Sequence, residues 1–153
     1  LAVSFIYGNK SNPELNAALS SYVAHRIFGQ ENDFGPCGSL GVLDGDTLLG
    51  AVVFHNWQDE YGTIELSAAA DSPRWLSKAT IREIMRICFD LHGCQTLVTR
   101  QAQDNERAAK IYRFLGFKEI LLPNMRGKDK HEILFLTTAD DWLSHKLYEV
   151  SNG

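Results

Sequence analysis

The chain has 153 residues, with 44% hydrophobic residues, 22% charged residues and a formal net charge of −4. That length suits one domain, able to bury roughly 68–70% of its unfolded surface, and the composition excludes a disordered or collagen-like chain. The acidic balance argues against nucleic acid as a partner, and no apolar run approaches the ~20 residues that cross a bilayer, so no membrane partner is expected. The three cysteines, Cys37, Cys88 and Cys94, are odd in number and form no CxxC pair. They argue against a disulfide framework or a zinc site and for a reducing compartment. No basic stretch followed by an apolar one opens the chain, and a cytoplasmic protein is the expectation.

In chain order, residues 2–7 are a short apolar run ended by Gly8-Asn9, which reads as a strand and turn. Asn12-Pro13 supplies an N-cap and a first-turn proline. The helix that follows carries Leu15, Leu19, Tyr22 and Val23 at helical spacing and ends near Gly29. Residues 29–38 are a loop, in which Cys37 reads as a turn cysteine. Residues 40–43 and 48–57 are strands joined across Asp44-Gly45-Asp46, a hairpin signal. Residues 63–70 form a further strand running into Asp71-Ser72-Pro73. Ile81, Ile84, Met85 and Cys88 fall at i, i+3, i+4 and i+7, which predicts one amphipathic helix over 77–91, closed by Gly93. Residues 96–99 are a strand. Asp104 or Asn105 caps a helix with Ala108, Ile111, Tyr112 and Leu115, closed by Gly116. Strands at 117–122 and 133–136 flank a Pro/Gly/Lys loop, and a last short helix holds Trp142, Leu143 and Leu147. The order β-α-β-β-β-α-β-α-β-β-α predicts one α/β domain over 1–153, a mixed sheet with helices on its faces.

Charge is unevenly placed. From Arg74 to Arg113 the basic residues outnumber Glu83, Asp90, Asp104 and Glu106, giving about +4 there and about −8 elsewhere. Such a stretch is either a solvated helix surface or an anion site in an acidic protein. Arg74, Lys78, Arg82 and Arg86 recur every four residues, so a helix presents them as one stripe. Arg74 and Lys78 are the candidate anion contacts, with Arg82 and Arg86 read as solvated.

Two segments stand out. The first, Arg74-Trp75-Leu76-Ser77-Lys78-Ala79, follows Ser67-Ala68-Ala69-Ala70 and joins a strand to a helix. The second is Asn105-x-x-Ala108-x-x-x-Tyr112-x-x-x-Gly116-Phe117. Together they resemble the GNAT superfamily of acyl-CoA N-acyltransferases, whose pyrophosphate loop is Q/R-x-x-G-x-G/A and whose later signature runs Asn, Ala, Tyr, Gly-Phe. The first segment departs from the pattern, since Ser77 stands where the first glycine belongs. The resemblance covers the whole element order and implies a GNAT-like fold with a central, mostly antiparallel twisted sheet. It implies acetyl-CoA as cosubstrate, no metal, an amine acceptor that is a small molecule or a peptide, and direct transfer without a covalent enzyme intermediate. A homodimer is left open.

The chemistry of coenzyme A explains the residue types. A helix N-terminus offers unpaired N–H groups and the favourable end of the dipole to a pyrophosphate, and small residues let phosphate approach the backbone. Ser77 and Ala79 are small enough. The Ser77 hydroxyl either donates to phosphate or caps the helix. The resemblance implies that Ala68, Ala69 and Ala70 line the pantetheine arm, that Asn105 lies against the cosubstrate, and that Tyr112 is the general acid for the departing thiolate. Considered without the resemblance, Tyr112 on an apolar helical face reads as core.

An ammonium acceptor must lose a proton before it attacks, which calls for a base. Alternation puts Ile64, Leu66 and Ala68 on one strand face and Glu65, Ser67 and Ala69 on the other, so Glu65 is the leading candidate and His55 on the preceding strand its rival. The five histidines show no HxxxH or HExxH spacing, in keeping with the absence of a metal site. By analogy with the family only, the 29–38 loop, with Glu31, Asp33 and Phe34, and the 123–130 loop, with Arg126, Lys128 and Lys130, are the expected acceptor walls, oppositely charged. A second reading keeps the fold as a non-catalytic acyl-CoA-binding module that acts through a protein partner.

Overall fold

The computed structural model describes residues 2–148. The long strand β3 (Thr47–Gln58) divides the apolar residues between two layers, because successive side chains point to opposite faces. Val52 and Phe54 enter one cluster and Ala51 and Val53 the other, all 3% exposed or less. The smaller cluster is closed by Leu19 and Val23 of α1 (Pro13–Phe28). The larger takes Ile81, Ile84 and Met85 of α2 (Lys78–Met85), Ala109 of α3 (Glu106–Phe114) and Trp142 of α4 (Ala139–Leu143). One helix on one face and three on the other therefore enclose the sheet.

The remaining strands are β1 (Ser4–Gly8), β2 (Cys37–Asp44), β4 (Thr63–Ala70), β5 (Thr96–Ala102), β6 (Lys118–Leu122) and β7 (Glu132–Thr138). They form a seven-stranded sheet in the order β1-β2-β3-β4-β5-β7-β6. Every neighbouring pair is antiparallel except β4 and β5. That parallel pair is joined by α2, as a parallel connection requires a crossover. Its register runs only from Thr63↔Thr96 to Leu66↔Thr99, although β4 continues to Ala70 and β5 to Ala102. Ser67 to Ala70 keep their pairing with β3 and have no partner strand on the β5 side.

Local chemistry departs from the sequence expectation at four places. Asn12 sits at the N-cap position of α1 but does not cap it. Its amide instead ties the preceding turn, accepting from Asn9 N at 2.8 Å and donating to the Tyr7 carbonyl at 2.6 Å. Cys37 begins β2 rather than standing in a turn. The helix expected over 77–91 is α-helical only to Met85, then widens into a π-type segment, Arg86–Leu91, with His92 N donating to Ile87 O at 3.0 Å. The widened turn lets Ile87 and Cys88, 5% and 0% exposed, both enter the core. Finally, α4 stops at Leu143, and Leu147 is buried beyond its end.

Small residues set the end of β4. A Cβ added at Gly50 of β3 would lie 2.8 Å from the Ala70 Cβ and 3.1 Å from both the Ala69 carbonyl oxygen and the Trp75 ring. Gly50→Ala is expected to destabilise the fold by about 1–3 kcal/mol through overpacking. A urea-unfolding series checks this, and an unmoved midpoint would show that the strand end has slack to absorb a methyl group.

Candidate active site

The site begins where β4 and β5 part. A cavity of about 180 Å³ opens there, lined by Ala68, Ala69 and Ala70 of β4, Thr99 of β5, Trp75 and Leu76 before α2, and Asn105, Ala108 and Tyr112 around α3. The alanines leave the free edge of β4 accessible, since no long side chain covers it. Asn105 reaches the cavity from the start of α3, where its Oδ1 also accepts from Ala108 N at 3.2 Å and so caps the helix.

Tyr112 is held by its ring. The ring packs against Phe117 and Phe135, with centroids 5.2 and 5.3 Å away. Thr99 Oγ1 donates to its hydroxyl across 3.4 Å, a long contact that leaves the phenolic proton uncommitted. Burial raises the Tyr112 pKa above its ordinary value and outweighs the lowering effect of Thr99. The phenol is therefore protonated throughout the neutral range, at the point where the strands separate.

At the start of α2 the backbone answers the question that Ser77 poses. Ser77 has φ −100° and ψ 172°, an extended conformation open to any residue, so glycine is not required there. Its Oγ accepts from Thr80 N at 3.2 Å, the capping role rather than a free donor. Helix geometry leaves the N–H groups of Lys78 and Ala79 without intrahelical partners. Lys78 has no ion pair among the described residues, whereas Arg74 Nη1 lies 3.1 Å from Asp44 Oδ2 in an exposed pair. Of the two residues read as solvated, Arg82 Nε donates to the Leu147 carbonyl at 2.8 Å and Arg86 pairs with Glu83. The expected single stripe is therefore broken: Arg74 lies in a 3-10 turn before α2, Arg82 is tied to the fold, and Arg86 stays exposed, as read from the sequence.

Glu65 and His55 lie on the opposite sheet face, as alternation predicts. They are direct cross-strand partners, with His55 Nε2 3.9 Å from Glu65 Oε2 and 2.9 Å from Ser67 Oγ. The side chains are 11% and 15% exposed. Phe34 covers the imidazole, with ring centroids 4.9 Å apart. Immediately after His55 the strand bulges, and Asn56 takes a positive φ of 51°. Burial lowers the His55 pKa below its ordinary 6.5, and the charge of Glu65 opposes that shift. A polar chain continues on this face: Arg100 Nε is 3.7 Å from Glu65, Arg100 Nη1 is 3.4 Å from Glu132, and Arg126 Nη2 is 3.3 Å from Glu132. Sequence reasoning missed Ser67, Thr99, Arg100 and Glu132 as members of the site. The available signal was small: Arg100 directly follows an apolar strand, and Glu132 heads one.

The residues proposed from sequence therefore gather into two groups. Ala68, Ala69, Ala70, Asn105 and Tyr112 share the cavity, with Ser77, Lys78 and Ala79 at the adjoining helix start. Glu65 and His55 share the other face. Among the described residues no three His, Cys, Asp or Glu side chains converge as a metal site, and no helix is long and apolar enough to cross a membrane.

Comparison with known proteins bears on the same region. Residues 10–117 match the profile of the Acetyltransferase (GNAT) family. A mutant form of the spermidine/spermine N-acetyltransferase SpeG from Vibrio cholerae is similar in structure, with a TM-score of 0.72 at 12% identity, over 94% of this chain and 98% of that one. A chain from T. thermophilus assigned as an acetyltransferase has a TM-score of 0.59 at 17% identity, over 77% of this chain and 65% of its own. A further chain with the same assignment has a TM-score of 0.62 at 17% identity, over 77% and 63%. This chain spans less than two thirds of the length of the last two. No curated protein matches the sequence.

The His55 environment has a measurable consequence. A histidine whose folded pKa is lowered resists a proton that the unfolded chain takes up near 6.5, so it costs stability as pH falls below that value and nothing above it. The NMR titration midpoint of His55 is expected below 6.5 and lower still in Glu65→Gln, which removes the opposing charge. A midpoint at or above 6.5 in the wild-type chain would contradict the buried, neutral imidazole.

Proposed function

The chain belongs to the Acetyltransferase (GNAT) family, and we propose that it moves an acetyl group from acetyl-CoA to a primary amine by direct transfer, as a cytoplasmic enzyme. The observation that carries this reading is the end of β4–β5 pairing at Leu66↔Thr99. It leaves one opening with a small-residue cavity and a protonated phenol on one face, and a carboxylate–imidazole pair on the other.

The residues present fit the cosubstrate on physical grounds. The unpaired edge of Ser67 to Ala70 has backbone donors and acceptors free to pair with the amides of a pantetheine arm, in the manner of strand addition. The uncommitted N–H groups of Lys78 and Ala79 suit a pyrophosphate at the start of α2, with the Lys78 ammonium beside it. Arg74 can join them, because its pair with Asp44 is exposed and such pairs are worth about 0–1 kcal/mol. Ser77 contributes by ordering that turn.

The reaction then follows from proton positions. One ammonium proton of the acceptor passes to the Glu65 carboxylate. The freed nitrogen lone pair forms the C–N bond at the thioester carbonyl carbon, and the C–S bond breaks with its electron pair on sulfur. The second nitrogen proton, shed as the amide forms, balances the proton that the Tyr112 O–H gives to the thiolate, and solvent restores the phenol. His55, neutral and bonded to Ser67, steadies Glu65 and is the alternative base. Phe34 shields the imidazole from bulk water.

The test is acetyl-CoA turnover over a panel of amines, followed by release of free thiol. Tyr112→Phe is expected to lower kcat and kcat/KM together by about 10²–10⁴-fold, with little change in acetyl-CoA affinity by calorimetry. An unchanged kcat in the folded variant would return Tyr112 to a packing role. Glu65→Gln is expected to flatten the acidic limb of the pH–rate profile. If His55→Gln does so instead, the base is His55.

A further inference from the structure

We propose that the acceptor carries an anionic group close to its amine, and that Arg100 and Arg126 bind that group beside Glu65. This rests on the acetyl-transfer reading above and specifies its acceptor. Arg100 follows Thr99, the last β5 residue still paired with β4, and alternation puts its side chain on the Glu65 face at the mouth of the opening. One carboxylate, that of Glu132 at 9% side-chain exposure, is shared by Arg100 at 3.4 Å and Arg126 at 3.3 Å. Arg100 also stands 3.7 Å from Glu65.

Charge balance then selects the ligand. Glu65 and Glu132 are matched by Arg100 and Arg126 before any acceptor arrives. An incoming ammonium adds positive charge to a cluster whose neighbouring loop already holds Lys128 and Lys130 against Asp129 alone. An anion on the same acceptor removes that excess. The donors for it exist, since each guanidinium offers five N–H groups and the ion pairs of these two, at Arg100 Nε and Nη1 and at Arg126 Nη2, are 3.3–3.7 Å long. Both side chains remain about a third exposed, at 37% and 35%.

The opposite class, an acceptor with a second cation, finds less to hold it. On the acidic loop Glu31 already accepts from Ser21 at 2.7 Å and pairs with His25 at 2.8 Å. Asp33 accepts from Gly35 N at 2.7 Å. Those carboxylates are engaged at 2.7–2.8 Å, whereas the two guanidiniums hold their carboxylates at the longer 3.3–3.7 Å.

The experiment compares alanine, alaninamide, ethylamine, O-phosphoethanolamine and spermidine as acceptors with the full chain and acetyl-CoA. Either anionic amine is expected to exceed ethylamine in kcat/KM by about 10- to 100-fold, the range of charge-assisted hydrogen bonds, and their ranking separates carboxylate from phosphate. Arg126→Gln is expected to shrink the anionic-to-neutral ratio toward one, and Arg126→Glu to invert it. Turnover led by ethylamine, alaninamide or spermidine overturns the anionic-acceptor assignment and leaves acetyl transfer standing. If no acceptor releases thiol, the acetyl-transfer reading fails, and NMR of the arginine Nε–H signals with alanine and O-phosphoethanolamine decides the site: unmoved Arg100 and Arg126 signals overturn it, and shifted ones uphold an anion site without transfer.

Discussion

The structure turns on a pairing that stops. A parallel strand pair could have continued through the three residues that β4 and β5 still share beyond Leu66 and Thr99, and in this chain it does not. Backbone N–H and C=O groups at that edge are left for something other than a strand. In the interior of a sheet this is costly unless water or a ligand supplies the partners. The fold tolerates it because β3 holds the other edge of β4 in full register to Ala70, with Gly50 making room. The small side chains of Ala68 to Ala70 are the local consequence: anything larger would fill the gap that the missing pairing creates.

The parting of the strands also sets the candidate groups of two sheet faces around one break in pairing. Tyr112 comes from α3 on the side of the larger core, while Glu65 and His55 come from strands on the side covered by α1. In a continuous sheet those groups would be separated by a layer of hydrogen-bonded backbone. Here the pairing is open from Ser67, two residues beyond Glu65. Burial raises the pKa of the phenol and lowers that of the imidazole, favouring the neutral form on both sides.

Positive charge is distributed by the same architecture. The start of α2 leaves Lys78 and two backbone N–H groups outward, while farther along Arg82 is tied to the Leu147 carbonyl and Arg86, exposed, pairs with Glu83. Beyond the opening, Arg100 and Arg126 share Glu132, so a second pair of cations, balanced by carboxylates, lies on the far side of the strands from the first. A donor with phosphates and an acceptor with an anion would then approach from different directions and meet at the opening.

Much of this was legible in the sequence because it is local. Strand alternation put Glu65 opposite Ile64 and Leu66, the spacing of Asn105, Ala108, Tyr112 and Gly116 marked α3, and the order of elements announced a mixed sheet. Helix and strand periods are properties of near neighbours, so a single chain displays them. Other features arise from elements distant in sequence. Nearer in sequence, backbone geometry decided that Asn12 serves a turn, that Ser77 needs no glycine conformation, and that Arg86, still exposed, pairs with Glu83. That β4 and β5 part after Leu66, that His55 stands across from Glu65 under Phe34, and that Arg100 and Arg126 converge on Glu132 required the register of the whole sheet. The sequence by itself determined which residues could do chemistry and on which face each would lie. Only the tertiary structure decided which of them meet, because register and the point where pairing ends are set by packing across the sheet.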